Sequence, residues 1–170
     1  MPVTAAQVKE LRDKTGAGIM DSKRALEESE GDIAKAESIL NAKGLASAAK
    51  KADRSTSEGL VVSYIHTGGR VGSMVELNCE TDFVARTDDF GILGRNIAMQ
   101  VAAMNPSYLD RASIPEDVED VEDVKDEELL IEQEYIRDST MKITDLVKES
   151  IGKLGENIRI RRFSRFELGD

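Results

Sequence analysis

The run Asn78-Cys79-Glu80-Thr81-Asp82-Phe83-Val84-Ala85-Arg86 decides the fold, because a strand-like pattern stops there and a helical pattern begins. Before the run, apolar and polar residues alternate, which is typical of a strand with one buried face. After it, apolar residues recur at the spacing of a helix. The sequence therefore predicts an α+β fold in which an antiparallel sheet is followed by packed helices.

The acid and the aromatic at this corner have two interpretations. Asp82 would cap the following helix while Phe83 packs into the local core, or both side chains would be presented to a partner, since strand-to-helix corners often display functional groups. The chain has no Trp and only four Phe, so an aromatic at this place is notable. Taken alone, the pattern favours the first interpretation.

The segments on either side of the corner are predicted as a hairpin and a helix. Residues 60–66 and 71–79 have strand-like patterns and flank Thr67-Gly68-Gly69-Arg70, which is typical of a glycine turn. From Phe83 or Val84 to about Met104 the pattern predicts one helix, ended by Asn105-Pro106. Its apolar stripe, which we expect in the core, comprises Phe90, Leu93, Ile97, Val101 and Met104.

The remaining part of this body is less regular. The acidic run Glu116–Glu128, within a connector at about 106–128, has a three-residue repeat and lacks the glycine spacing of a calcium loop. It is interpreted as a solvated connector or an exposed helix face. The pattern of Leu129–Ile136 fits a helix and a strand equally well.

The pattern of the C-terminal residues predicts a helix followed by a strand. Residues Thr144–Leu154 carry a helical apolar pattern that ends at Gly155. In Asn157–Leu168 the even-numbered apolar residues are expected to share one buried face. These are Ile158, Ile160, Phe166 and Leu168, and they alternate with Arg159, Arg161 and Arg165.

The sequence predicts two domains. Residues 1–54 would form a module of three short helices followed by a linker, and residues 55–170 would form the α+β core. The first helix opens at a capping box, Thr4 with Gln7, and breaks at Thr15-Gly16-Ala17-Gly18. The second covers Ile19–Ser29, with Ile19, Met20 and Leu26 as apolar anchors. The third is capped by Asp32 and ended by Gly44. Apolar side chains beside a glycine turn favour a docking role.

Composition excludes several classes of protein. A net charge of −10 argues against broad binding of nucleic acid, and no apolar run is long enough to span a membrane. The start, Met1-Pro2-Val3-Thr4, lacks a targeting pattern, so the chain is expected to stay where it is made, in the cytoplasm. The sequence therefore predicts that the chain binds another protein.

No catalytic or cofactor site is predicted. His66 is the only histidine and Cys79 the only cysteine, which is too few ligands for a structural zinc site. In a hairpin turned at Gly68-Gly69 these two residues would lie roughly 25 Å apart, at about 3.3 Å per residue, which disfavours a hydrolase dyad. The chain is interpreted as a non-enzyme without metal or cofactor.

Two long segments and two short ones resemble signatures of the translation elongation factor Ts family. The long ones are Leu11-Arg12-Asp13-Lys14-Thr15-Gly16-Ala17-Gly18-Ile19-Met20-Asp21, continued by Lys23 and Ala25-Leu26, and Glu76-Leu77-Asn78-Cys79-Glu80-Thr81-Asp82-Phe83-Val84-Ala85. The short ones are Gly155-Glu156-Asn157-Ile158 and Arg161-Arg162-Phe163. The resemblance covers about residues 3–105 and 140–168.

The resemblance implies a ubiquitin-associated-like helical module, an α+β core, and guanine-nucleotide exchange on elongation factor Tu, the GTPase that delivers aminoacyl-tRNA. The module would dock on the GTPase domain, and the corner would intrude near its Mg²⁺ and phosphate region. By resemblance the docking residues are Arg12, Thr15, Gly16, Gly18, Ile19 and Met20. The intruding residues are Thr81, Asp82, Phe83 and Val84.

The chain departs from longer members of that family, which carry a second sheet-bearing half and a helical hairpin before the last strand. One short subunit would not make every contact of a long one, so two copies are predicted to pair through their sheets and bind two GTPases. Two other classes stay open. One is a passive interaction module, and the other is the disfavoured Cys/His hydrolase.

Overall fold

The computed structural model describes residues 3–170, which form two compact units. The first contains the residues up to Arg54 together with Lys148–Asn157, and the second contains Ser55–Val147 with Ile158–Asp170. Met1 and Pro2, on which part of the expectation about the chain start rests, lie outside the described residues. That residues 1–54 and 55–170 act as separate domains stays a prediction.

After three helices, the described elements are a mixture of strands and helices. In chain order the helices are α1 (Ala5–Thr15), α2 (Ile19–Glu28), α3 (Ile33–Lys51), α4 (Asp82–Ala85), α5 (Asp88–Met104) and α6 (Ile143–Leu154). The strands are β1 (Glu58–Ile65), β2 (Val71–Cys79), β3 (Glu134–Tyr135), β4 (Asp138–Lys142) and β5 (Ile158–Glu167). Short 3₁₀ turns lie at Arg111–Ser113, Val121–Asp123, Asp126–Glu128 and Leu130–Glu132. The predicted α+β class is confirmed.

The helices of the first unit begin where the sequence places capping residues. The Gln7 amide donates to Thr4 Oγ1 at 3.3 Å, and the Thr4 amide donates to Gln7 Oε1 at 3.0 Å, so the predicted capping box is confirmed. Asp32 caps α3 by accepting from the Lys35 amide at 3.0 Å. Each cap supplies a partner to a backbone group that has none inside its helix.

Helix α3 continues to Lys51, so the prediction that Gly44 ends it is wrong. Gly44 lies against Gly152 of α6, in the same unit, and a Cβ built on Gly152 would be 2.8 Å from the Gly44 Cα. Glycine permits close approach of two backbones as well as the left-handed conformation of a helix end. At Gly44 and Gly152 it is the close approach of the two backbones that requires glycine.

The apolar centre of the first unit does not include every apolar residue of its helices. It consists of Leu11, Ala25, Leu26, Ala36 and Leu40, with Val3, Val8, Ala17, Ile33 and Ile39 packed against it. Ile19 and Met20, predicted as anchors of α2, are each 59% exposed, and Leu26 alone of the three predicted anchors is buried. The side chains at the start of α2 are therefore available to a partner.

In the second unit three antiparallel strands form a sheet in the order β1-β2-β5, and the predicted hairpin is confirmed. The pairing of β2 with β5 shifts register: Glu76 pairs with Arg162, but Leu77 pairs with Ile160. The extra residue, Arg161, is a β-bulge, and a bulge changes which side chains of a strand face the core.

The bulge corrects the prediction that even-numbered residues of the last strand share one buried face. Ile158 is buried as predicted, but Phe166 and Leu168, beyond the bulge, are exposed. Arg165 instead points inward, where its Nε donates to the Ala102 carbonyl at 3.0 Å. Strict alternation fails after one inserted residue because the side-chain period of a strand is two.

Helix α5 covers the inner face of the sheet. Phe90, Leu93, Ile97 and Val101 are buried as predicted, whereas Met104, also predicted to lie in the core, is exposed. The single helix predicted from residue 83 or 84 is divided: α4 ends at Ala85, and Thr87 caps α5 by accepting from the Phe90 amide at 3.3 Å. The Thr87 cap favours a new helix start over one continuous helix, because its side chain accepts a hydrogen bond from a backbone amide in the first turn of α5.

The acidic connector is built from short 3₁₀ turns, which a three-residue repeat suits. Most of its charged residues are exposed. Val124 is buried with Ile114 and Leu129, and Tyr108 and Val118 pack against this small cluster. Of the two interpretations, the solvated connector fits, and a long exposed helix is absent from this described stretch.

The ambiguous segment 129–136 is neither a full helix nor a full strand. It contains one 3₁₀ turn and the two-residue strand β3, which pairs with β4. The buried Gln100 of α5 holds it: Nε2 donates to Gln133 Oε1 at 3.1 Å and to the Glu134 carbonyl at 3.0 Å, and Oε1 accepts from the Ile136 amide at 2.9 Å. A tertiary hydrogen-bond set, invisible to periodicity, decides this segment.

The glycine contact in the first unit predicts a measurable stability difference. Gly152→Ala places a methyl group against backbone that has no rotamer to relieve the clash, so we expect a loss of about 1–3 kcal/mol in the free energy of unfolding. Gly91→Ala in α5 is the matched control, because a Cβ there has no neighbour within 4 Å. We expect that substitution to raise stability by about 0.5–1 kcal/mol through helix propensity. Urea unfolding of both variants measures this, and equal effects would contradict the close contact.

Candidate partner-binding site

The corner after β2 is a short, capped helical turn. Thr81 is the N-cap of α4, and its Oγ1 accepts from the Val84 amide at 3.5 Å. The buried Cys79 lies beneath it, and its thiol donates to the Thr81 carbonyl at 3.1 Å. The chain turns sharply here because the strand ends and a cap begins within three residues.

Asp82 and Phe83 are displayed by this turn rather than buried in it. Asp82 is the first residue of α4, and its carboxylate lies 3.0 Å from an Arg86 guanidinium nitrogen, in an exposed pair. Phe83 is 81% exposed, whereas Phe90 is fully buried. The interpretation in which Asp82 caps the helix and Phe83 packs into the core is therefore wrong. Thr81 takes the capping role, and an uncovered Phe is what a partner-binding role requires.

The six predicted docking residues lie together at the turn between α1 and α2. Gly16 is the C-cap of α1, with φ of +66°, and its amide donates to the Arg12 carbonyl at 2.8 Å. The Thr15 hydroxyl donates to the Leu11 carbonyl and accepts from the Ala17 amide. Gly18 caps α2 without a side chain, and the exposed Ile19 and Met20 follow it directly.

This turn has a defined shape because its backbone groups are satisfied locally. A positive φ at residue 16 favours glycine, which has no Cβ to clash with the preceding turn. Two adjacent apolar side chains are thus held at the start of α2, in water. The corner lies in the second unit and this turn lies in the first, so the site residues form two separate groups.

The residues with reactive side chains are not brought together. His66 lies at the hairpin turn, where its amide donates to the Val71 carbonyl, and Cys79 lies at the opposite end of β2. Within residues 3–170 no group of three or more His, Cys, Asp or Glu residues is arranged to hold a metal ion. No helix among these residues is long and apolar enough to cross a membrane.

The sequence predicted pairing through the sheets but did not identify the residues of the outer sheet face. Strand register places Val61 and Ile65 of β1, Met74 of β2 and Phe166 of β5 on the side away from α5, and all four are exposed. Leu168 just beyond β5 is exposed too. The signal available in the sequence was the apolar residues on the face of the hairpin predicted to be in water. The prediction placed Phe166 in the core because the bulge in β5 was not foreseen.

Exposed apolar side chains displayed on well-capped turns of an α+β scaffold are typical of a protein-binding factor. Comparisons agree with this class. A family model described as "Elongation factor TS" matches residues 45–128. The chain is similar to elongation factor Ts of Syntrophomonas wolfei, 49% identical over 195 aligned positions that cover 99% of this chain and 91% of the relative.

Two further relatives extend the similarity over the whole length of both chains. Elongation factor Ts of Thermotoga neapolitana is 48% identical and covers 100% of this chain and 99% of its own. That of Fervidobacterium nodosum is 45% identical, with 100% of both chains covered. The chain belongs to the elongation factor Ts family, a family of protein-synthesis factors.

The aligned regions also reveal a difference in length. The alignment with the Thermotoga relative extends over 195 positions, although this chain has 170 residues in all. The relative therefore carries residues, inside the aligned region, that this chain lacks.

The exposure of Phe83 predicts that it contributes little to folding. Phe83→Ala is expected to change the free energy of unfolding by less than about 0.5 kcal/mol, as surface substitutions usually do. Phe90→Ala, the matched control seven residues on, should cost about 3–5 kcal/mol, because it empties a packed core site. Urea unfolding of both variants checks this contrast. A large loss with Phe83→Ala would mean that the ring is buried in solution.

Proposed function

We propose that this chain promotes the release of GDP from elongation factor Tu during translation elongation, in the cytoplasm. Membership of the elongation factor Ts family supports the activity and the GTPase partner. The observation that carries the mechanism is the exposed Phe83, held beside Asp82 on a capped turn. The chain acts by binding and needs no cofactor.

The corner is suited to act as a wedge. A GTPase holds its nucleotide through P-loop amides, a lysine and Mg²⁺. An aromatic ring inserted beside that site displaces side chains that support the metal, while Asp82 accepts hydrogen bonds that fix the position of the ring. The Thr81 cap and the Cys79 thiol hold the turn in place, so little conformational entropy is lost when the ring is inserted.

Exchange then follows from thermodynamic coupling. A protein that binds the nucleotide-free GTPase more tightly than the GDP-bound form weakens GDP binding by the same ratio. No nucleotide site on this chain is required for that. The net charge of −10 also disfavours contact with phosphate groups.

The α1–α2 turn supplies a second contact, on the GTPase domain. Ile19 and Met20 present adjacent apolar surface, and Arg12, Thr15, Gly16 and Gly18 shape or flank it. Two linked contacts bind more tightly than either alone, because the second forms within the complex. A ubiquitin-associated-like fold of the helical module is part of this proposal.

We further propose that two copies of the chain pair through their sheets, giving a complex with two GTPases. The exposed Val61, Ile65, Met74 and Phe166 lie on one face of a three-stranded sheet, and face-to-face packing of sheets buries such residues. The relatives carry additional residues within the aligned region. A second copy would compensate for contacts that one short chain does not make.

The exchange proposal is tested by the release of fluorescent GDP from elongation factor Tu in the presence of excess unlabelled GDP. The unmodified chain is expected to accelerate release. Phe83→Ala should reduce the acceleration about thirtyfold or more, since truncating a buried aromatic anchor costs on the order of 2–4 kcal/mol. Val121→Ala, which trims an exposed apolar residue of the acidic connector, should have no effect.

A docking variant separates the two contacts in the same assay. Met20→Asp should raise the concentration of chain needed for half-maximal acceleration, with the maximal rate retained at saturation. No acceleration by the unmodified chain at micromolar concentration would reject the exchange proposal. Acceleration that survives Phe83→Ala would keep the exchange activity but reject Phe83 as its wedge.

The pairing proposal predicts an apparent mass of about twice 18.7 kDa in light scattering at micromolar concentration. Phe166→Glu should halve it, because a carboxylate on each apolar sheet face must be desolvated when the faces meet. Leu45→Glu, at an exposed apolar residue of α3, is the matched control and should leave the mass unchanged. A monomeric mass for the unmodified chain would reject the pairing.

A further inference from the structure

Lys153, near the end of α6, lies directly over the turn between α1 and α2. A Cβ built on Gly16 would lie 2.8 Å from Lys153 Cδ and closer still to Cε, so the lysine methylene groups occupy the space that a side chain at residue 16 would take. Both residues belong to the first unit. The C-terminal helix therefore contacts the predicted docking turn itself.

Gly16 is constrained twice at this point. Its φ of +66° closes α1, and its amide donates to the Arg12 carbonyl. Its missing side chain leaves a flat piece of backbone on which the Lys153 stem rests. The first constraint is local, but the second links the turn to a residue 137 positions later in the chain.

A cleft of about 320 Å³ runs beside this contact. The turn contributes Thr15 and Gly18 to its walls, α3 contributes Asn41 and Ser47, and α6 contributes Glu149 and Lys153. Helix α6 thus forms one wall of the surface that surrounds the docking turn.

The chemistry of lysine fits this place. Its four methylene groups cover apolar or backbone surface while the ammonium group stays in water. The ammonium nitrogen is 3.1 Å from the position of a Gly16 Cβ, beside the C-terminal end of α1. Carbonyl groups at a helix C-terminus carry partial negative charge, which a nearby cation stabilises.

We propose that Lys153 is a positioning residue for the docking turn, fixing the turn so that Ile19 and Met20 are presented in one orientation. The inference rests on the proposed docking of this turn on the GTPase. Ordering the turn before binding removes part of the entropy cost of association, so Lys153 acts on affinity and leaves the corner at Phe83 unaffected.

The test compares Lys153→Ala, Lys153→Met and Lys148→Ala in the full chain. In the GDP-release assay, Lys153→Ala should raise the half-saturating concentration about fivefold at an unchanged maximal rate. Lys153→Met, which keeps an unbranched stem but removes the charge, should raise it by less than Lys153→Ala does, because the packing of the stem is retained. Lys148→Ala, at an exposed position of the same helix, should have no effect.

Amide hydrogen exchange in the free chain tests the positioning role without the GTPase. Lys153→Ala should speed exchange in residues 12–20 and leave the amides of α5 unchanged, which also verifies that the variant is folded. Unchanged exchange in the turn, or a lower maximal rate at an unchanged half-saturating concentration, would overturn the inference. Failure of the unmodified chain to accelerate GDP release would instead reject the proposed function, whatever the turn amides show.

Discussion

Strand β2 is hydrogen-bonded on both sides, to β1 and to β5, and the rest of the second unit is arranged around it. Its inner residues Val75, Leu77 and Cys79 are fully buried under α5. The turn that follows inherits this rigidity, since Cys79 is both the last residue of the strand and a hydrogen-bond donor to Thr81. The proposed wedge requires such a rigid base, because part of the binding free energy of a ring on a flexible loop would be spent on ordering the loop.

Local signals in the sequence predicted the parts of the fold that depend on neighbouring residues. The capping box at Thr4, the cap at Asp32 and the glycine hairpin need only residues a few positions apart, and each is confirmed. The corner was located by the same kind of signal, although its cap proved to be Thr81 rather than Asp82.

Features that depend on distant partners were predicted wrongly or not at all. The end of α3 was misplaced because the partner of Gly44 is Gly152, more than a hundred residues away. The bulge at Arg161 is visible only in the register with β2, and it moved Phe166 from the core to the outer face of the sheet. For the candidate site, the pattern identified the corner residues but favoured a buried Phe83. Phe83 is exposed and Phe90 of α5 is fully buried, a difference that depends on how α5 packs on the sheet and that the local pattern does not contain.

The first unit is discontinuous in sequence, because Lys148–Asn157 belong to it together with the residues up to Arg54. Asn157, which is almost fully buried, donates from Nδ2 to the Arg54 carbonyl at 2.8 Å and to the Ala52 carbonyl at 3.3 Å. Residues that follow α6 therefore hold the end of α3. The helix that carries Lys153 begins in the second unit, at Ile143, and ends in the first. One continuous helix thus belongs to the unit with the docking turn and to the unit with the corner. An isolated segment 1–54 would therefore lack one wall of the cleft beside the predicted docking turn, because α6 supplies Glu149 and Lys153 to it.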